Sequence, residues 1–376
     1  MMTVNPGLAG VVAFDTEIAE PDRDGGALRY RGVDIRSLAG AVSFGDVWGL
    51  LADGSFESPL LPAAGAGEPA RWLLRTGDAR VDAQATVAAL GMRPLIDIAD
   101  AEARQDLARA SAAIMSVVAA SARGEELAVV PERRVAEGTD VTSQFMIRWR
   151  GEPDPRHVAA IDRYWVCAAE HGMNASTFTA RVVASTGADV GACLSAAVAA
   201  LSGPLHGGAP ARALGMVEAV EKSGDARTYV RKVLDSGQRL MGFGHAIYRA
   251  EDPRARILRE TARELGAPRY EVAAELEKAA LAELRERKPD RVLETNVEFW
   301  AAIVLDFAEV PVDMLAAMFT CARTAGWSAH ILEQKRLAKI IRPSADYVGP
   351  SGRAAADLPG WATATRRHAA RLPARN

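Results

Sequence analysis

The sequence predicts an all-α fold, and three observations carry that expectation. Apolar residues recur at helical spacing through long segments in which alanine is abundant and aromatic residues are sparse, at 6%. Alternating strand–helix units are missing, which argues against a doubly wound sheet. At 376 residues the chain can bury a large core, as two domains or as one large domain with a lobe.

Taken in order, only Val11 to Ile18 and Leu28 to Ile35 look extended, giving a short hairpin-like piece near the start. Gln105 to Ala122 reads as a helix. Arg181 to Leu201 does too, and it is apolar enough to be buried. In Glu271 to Lys288 the apolar positions Val272, Leu276, Ala280 and Leu284 repeat every four residues between Glu, Lys and Arg, an amphipathic helix. Thr295-Asn296-Val297-Glu298 opens an apolar helix from Phe299 to Phe307. By sequence it is a capping box, a Thr cap with Glu three residues on. Breakers fall at Gly203-Pro204, Gly266-Ala267-Pro268, Lys288-Pro289-Asp290 and Arg342-Pro343. The tail from Thr365 is basic, through Arg366, Arg367, Arg371 and Arg375, and reads as a solvated end. No internal repeat is visible.

Bulk properties narrow the function. Lys and Arg total 45 against 48 Asp and Glu, so no nucleic-acid partner is expected. Cys167, Cys193 and Cys321 are far apart and form no CxxC pair, which fits a reducing compartment without disulfides or zinc. The opening residues lack a cationic region followed by an apolar stretch. The longest apolar run, Val190 to Leu201, is too short to span a bilayer. A soluble, cytoplasmic protein without a membrane partner is expected.

Two of the six histidines lie in glycine-framed turns, Gly203-Pro204-Leu205-His206-Gly207-Gly208 and Met241-Gly242-Phe243-Gly244-His245. Glycine lets a ligand approach the backbone closely, and histidine can hold or donate a proton near neutral pH. The second turn is no dinucleotide loop, because it lacks the third glycine and no strand precedes it. Arg254 follows Pro253, which can set the first turn of a helix. A helix start with a guanidinium fork suits a carboxylate or phosphate. The plainer alternative is a surface salt bridge to Asp252 or Glu251, more so for Arg256 than for Arg254. Arg323 sits inside an apolar helical stretch, where a charge needs a buried partner or a ligand. Arg342 precedes a proline and should lie in extended chain. Glu298 either ties off a helix start or serves as a general base on its first turn.

Together these pieces resemble the citrate synthase family over nearly the whole chain. The resemblance rests on Gly7 to Val12 and Leu28 to Ile35, on Asn174 to Val183, on the two histidine turns, on Ala322-Arg323-Thr324-Ala325-Gly326-Trp327, and on Arg342 to Gly349. It implies an all-α homodimer, with residues 1–216 and 327–376 as a large domain and 217–326 as a smaller mobile one. It also implies condensation of acetyl-CoA with oxaloacetate and hydrolysis of the thioester, with coenzyme A as cosubstrate, no tightly bound cofactor and no metal. By resemblance His206 donates to the thioester carbonyl, His245 polarises the ketone, and Glu298 is the base. His171 contacts the dicarboxylate, Arg254 and Arg323 clamp carboxylates, Arg342 reaches in from the partner subunit, and Arg249 matches a position associated with CoA phosphate.

The match departs from the family pattern in places. The family usually has Asp where this chain has Glu298, which reaches roughly 1.5 Å further. Cys167-Ala168-Ala169-Glu170 stands where many relatives have a His-Ala-Asp-His pattern, and Ala63 to Thr86 matches poorly. Two other readings compete: a 2-methylcitrate synthase using propionyl-CoA, and a weakly active paralogue that binds CoA or a dicarboxylate.

Overall fold

The computed structural model describes residues 4–8, 10–22, 24, 26–62, 74, 76–203, 206, 210–245 and 248–371. The chain divides into two compact units, residues 15–341 and a second made of residues 1–14 with 342–376.

The first unit begins with a small antiparallel sheet, β1 (Ala19–Asp22), β2 (Ala27–Tyr30) and β3 (Val33–Asp34). In register, Ala19 lies opposite Tyr30 and Arg29 opposite Asp34. The expected hairpin is therefore present but displaced. Val11 to Thr16 forms no strand, and Leu28 to Ile35 is folded back on itself at Arg31-Gly32, both at positive φ.

The rest is helical: α1 (Phe44–Asp53), α2 (Ala79–Ala88), α3 (Asp100–Arg123), α4 (Glu132–Val135), α5 (Val141–Arg150), α6 (Pro155–Ala168), α7 (Ala175–Ser185), α8 (Val190–Leu201), α9 (Pro210–Ser223), α10 (Ala226–Asp235), α11 (Pro253–Glu264), α12 (Tyr270–Arg287), α13 (Val297–Phe307) and α14 (Leu315–Leu337). Short polar residues fix many starts. Ser43, Asp78, Asp140, Asp154, Asn174, Asp189, Asp225, Asp252 and Asn296 each accept a backbone N–H of the first turn. The segment expected as one helix from Arg181 to Leu201 is two. Gly187 takes a left-handed conformation at φ 81°, and Asp189 caps a new start. Among the described residues no helix is long and apolar enough to cross a membrane.

Helix α14 is the axis of the unit. Every residue from Thr320 to Leu332 is buried, the mark of a helix enclosed on all sides. Helices α1, α3, α6, α7 and α8 pack around it. A second group, α9 to α13, packs mainly on itself, with α13 against α9 and α11, and meets the first group where α11 and α13 touch α6. Both boundaries expected for a 217–326 domain fall inside helices, α9 and α14.

The second unit carries helix α15 (Trp361–Ala369), none of whose residues is buried. The basic tail is accordingly exposed through Arg371, and Arg375 lies outside the described residues.

Candidate active site

The helix ends of the first unit converge on one cavity of about 200 Å³. His171 reaches it from the α6–α7 loop, His206 from the α8–α9 connection and His245 from the α10–α11 connection. Arg254 and Glu298 come from the first turns of α11 and α13, and Arg323 from the middle of α14. Six of the eight residues singled out in the sequence thus line a single space. Arg249 lines a neighbouring cleft, and Arg342 belongs to the other unit. Of the turn around His206, Pro204, Leu205, Gly207 and Gly208 lie outside the described residues, as do Ala246 and Ile247 after His245 and, in the poorly matching segment, residues 63–73 and 75.

Glu298 corrects the expected capping box. The cap of α13 is Asn296, whose Oδ1 accepts the Glu298 N–H at 3.0 Å. Glu298 is therefore the second helical residue, one position too early for the reciprocal bond of a capping box. Its carboxylate has no hydrogen-bond partner among the described residues and is not sealed from solvent, so it opens to the cavity it lines. Burial pushes its pKa above the ordinary value, opposed by the nearby Arg254.

Arg254 and Arg323 face opposite situations. Arg254 is paired after all, but in the interior rather than on the surface. Its Nε and Nη2 donate to the two oxygens of Asp252 at 3.0 and 2.8 Å, and both side chains are almost fully buried. Asp252 also accepts the Arg254 N–H, capping α11, and the Val297 N–H at 3.0 Å. One carboxylate thereby locks the starts of α11 and α13 together. Arg256 pairs with Glu251, as expected. Arg323 forms no ion pair among the described residues, although only 2% of it is exposed. Its Nε donates to the Ala168 carbonyl at 2.9 Å, and its guanidinium lies 4.7 Å from the Phe319 ring. The rest of that cation is left for whatever enters the cavity. Burial drives its pKa down, as for a charge without full compensation.

Burial disfavours the cationic form of all three site histidines. Desolvation first, and then Arg254, holds His171 well below its ordinary pKa and lowers His245 to about 4. Nδ1 of His245 accepts the Tyr248 N–H at 3.3 Å, which a doubly protonated ring could not do, so the single ring proton sits on Nε2, 3.4 Å from Arg254 Nη2. His206 Nε2 lies 2.9 Å from the Ser176 hydroxyl. Ser176 also accepts the Trp327 indole N–H at 3.2 Å and sits 2.9 Å from Asn174 Oδ1. A hydroxyl has one proton, so it serves either Asn174 or His206. Only in the second case does His206 present an N–H at Nδ1.

Two further features were not singled out in the sequence. Beneath Arg323, Glu170 is fully buried beside His330 (3.3 Å). His330 in turn meets Arg181 at 3.0 Å, and Arg181 pairs with Glu333. Burial pushes the Glu170 pKa up, but His330 and Arg323 outweigh it and leave the carboxyl below its ordinary value. Beside the cavity, and sharing His245 with it, lies a cleft of about 890 Å³ lined by Arg239, Arg249, Arg287, Lys288 and Arg291. Arg287 is paired with Asp235, while Arg239, Lys288 and Arg291 have no carboxylate partner among the described residues. In the sequence these basic residues are spread between Arg239 and Arg291, and only folding brings them together.

Comparison with known proteins is decisive. The family model described as citrate synthase, C-terminal domain, matches residues 7–344. The chain belongs to the citrate synthase family. It is 65% identical over 361 residues to the Mycobacterium tuberculosis protein named "Putative citrate synthase 2", covering 95% of this chain and 96% of that one. It is 33% identical to the 2-methylcitrate synthase of Shewanella oneidensis, over 92% and 95% of the two chains. The fold is that of citrate synthase from Thermoplasma acidophilum, solved as a ternary complex with carboxymethyl coenzyme A and oxaloacetate. The TM-score is 0.81 at 23% identity, covering 94% of this chain and 98% of that one. Ala168 lines the cavity beside His171.

Proposed function

We propose that this member of the family is a citrate synthase, which condenses acetyl-CoA with oxaloacetate and hydrolyses the resulting thioester to citrate and CoA. The observation that carries the reading is that, among the described residues, Arg323 has no salt bridge and the Glu298 carboxylate no hydrogen-bond partner, and both line one small cavity. A dianionic keto acid answers the first, and an acidic C–H beside a carbonyl answers the second. The ternary complex of the Thermoplasma protein, with its CoA analogue and oxaloacetate, supports the same substrates here.

Each residue then has a physical task. Arg323, Arg254 and His171 hold the oxaloacetate carboxylates. The adjoining basic cleft, Arg249 included, takes the phosphates of CoA and aims the acyl group at His245's side of the cavity. Glu298 removes a proton from the thioester methyl, and the C–H electron pair moves toward the thioester oxygen. His206 stabilises that oxygen through Nδ1, which requires the Ser176 proton to sit on the His206 side. The carbon then attacks the ketone, whose oxygen is polarised by His245. Water finally cleaves the thioester. The second helix group, α9 to α13, closes over the substrates and excludes water until the carbon–carbon bond is made.

We assign the working form as a cytoplasmic homodimer in which Arg342 serves the site of a second copy. Apolar residues of the unit bearing Arg342 support this. Val348 is 95% exposed and Tyr347 76%, surface that a partner would cover.

A propionyl-specific reading has its own support in the resemblance to the Shewanella 2-methylcitrate synthase and in the alanines, Ala168 and Ala301, that line the cavity. One methylene is worth only about 1–3 kcal/mol in such a pocket. The test is CoA release with oxaloacetate and either acyl-CoA, compared by kcat/KM, in the wild type and in Glu298→Gln and Glu298→Asp. Preference for acetyl-CoA, with turnover lost in Glu298→Gln, supports the citrate synthase. Preference for propionyl-CoA moves the assignment to 2-methylcitrate synthesis. A folded dimer that releases CoA from neither is a binding protein.

A further inference from the structure

We infer that Tyr248 is a positioning residue that fixes the tautomer of His171 and so makes it a hydrogen-bond donor toward the anionic substrate. The inference rests on reading the cavity as an oxaloacetate site, but its first step depends only on hydrogen-bond accounting.

Tyr248 lies in the turn between His245 and Asp252, and its side chain is buried. Its hydroxyl sits 3.0 Å from His171 Nε2 and has no other partner among the described residues. A phenol has one hydrogen to donate, and a buried O–H left without an acceptor is costly. If Nε2 carried the imidazole proton, the hydroxyl would have to accept and its own hydrogen would go unpaired. Both groups are satisfied only when Tyr248 donates and Nε2 accepts. An Nε2 that accepts carries no proton of its own, so the ring proton belongs on Nδ1.

Nδ1 has no partner among the described residues, yet it is not sealed from solvent, so it opens to the cavity that His171 lines. In this tautomer the cavity receives an N–H, which attracts a carboxylate or ketone oxygen. In the other it would receive a lone pair, which repels one. Arg254 and Arg323 stay charged whatever the ligand, but a neutral imidazole contributes with the right sign only if its tautomer is held. Tyr248 also stands between the two loops structurally. Its ring centroid is 5.3 Å from that of His171 and 4.9 Å from that of His245, and its backbone N–H reaches His245 Nδ1. Tyr248→Phe retains the ring and the backbone donor and deletes only the hydroxyl.

The direct test is a proton–nitrogen correlation spectrum of the ligand-free, full-length protein labelled at histidine, with His171 identified by its loss in His171→Asn. The expected result is protonated Nδ1 and bare Nε2 in the wild type, with Tyr248→Phe moving His171 toward the other tautomer. A wild-type His171 protonated at Nε2, or a tautomer unmoved in Tyr248→Phe, overturns the inference. Because no substrate is present, this outcome stands apart from the failure of the enzyme reading, which is absence of CoA release. In turnover, Tyr248→Phe is expected to raise KM for oxaloacetate by about tenfold while kcat and the KM for acyl-CoA stay within about twofold. A fall in kcat at unchanged KM contradicts a positioning role in binding. Should Tyr248→Phe fold poorly, two amide variants decide. Asn places an N–H near the position of Nδ1 and Gln near that of Nε2, so His171→Asn must bind oxaloacetate more tightly than His171→Gln. The reverse order overturns the assignment.

Discussion

Phe243 and Thr295 form an isolated antiparallel bridge, which stitches the turn carrying His245 to the residue just before the cap of the helix carrying Glu298. The Gly244 N–H donates to Glu294 O at 2.7 Å and the Asn296 N–H to Gly242 O at 2.9 Å. The Asn296 side chain returns to Gly244 O at 2.9 Å. The spacing between the two groups is therefore fixed by a short ladder of backbone bonds, reinforced by the Asn296 side chain and by Phe243 packing on Phe299 at 5.3 Å.

Gly242 makes that bridge possible. Its φ is 84°, and an added Cβ would stand 2.7 Å from Cβ of Phe299. Gly242→Ala is expected to cost about 2–4 kcal/mol in urea denaturation. It should also lower kcat more than it raises either KM, because it displaces the Glu298 helix start. Wild-type stability and turnover in this variant would mean the bridge does not set the geometry.

Arg323 should matter more to the liganded protein than to the free one. Arg323→Met is expected to abolish the rise in Tm on adding oxaloacetate, and to cost the free protein about 1–3 kcal/mol because Glu170 loses a nearby cation and the Ala168 carbonyl its donor. Differential scanning calorimetry with and without oxaloacetate reads both. A variant that loses stability and still responds to oxaloacetate would assign Arg323 a structural role.

The basic cleft should matter to one substrate only. Lys288→Glu with Arg291→Glu is expected to raise KM for acyl-CoA by about tenfold or more at low salt, with a smaller effect as salt screens the wild-type site. The KM for oxaloacetate should not move. Equal losses for both substrates would separate the cleft from CoA binding.

Acid should weaken the fold through the site histidines. The folded-state pKa of His245 is lowered to about 4, against an unfolded value near 6.5. Between those values the unfolded chain binds a proton that the native one refuses. This contribution to stability is full above about pH 6.5 and is lost as pH falls toward about 4. Glu298, whose pKa burial raises, acts in the opposite sense. The measurement is therefore the difference between wild type and His245→Gln in urea titrations across that window. The variant should lose stability less steeply, and equal slopes would contradict the assignment.

What the sequence made legible was local. Asp252-Pro253 announced the start of α11, and the apolar run around Arg323 announced a charge in the core. What it hid was set by distant partners. Thr295 looked like a cap because its bridge to Phe243, fifty-two residues earlier, leaves no local trace; with Thr295 held in the bridge, the cap passes to Asn296. Gly187 and Asp189 broke the Arg181–Leu201 segment inside a stretch whose composition still favoured one helix. Tyr248 carried no signal at all, since its partner His171 lies seventy-seven residues away. The six cavity residues were found by resemblance and by charge, whereas the hydroxyl and amide groups that orient them were not.

With Asn296 closing the helix end, the carboxylate at position 298 carries no structural duty. Selection on folding and selection on chemistry therefore act on different residues there. A change of side-chain length there alters the reach of the base without threatening the scaffold, so activity and stability can be tuned separately at this one position.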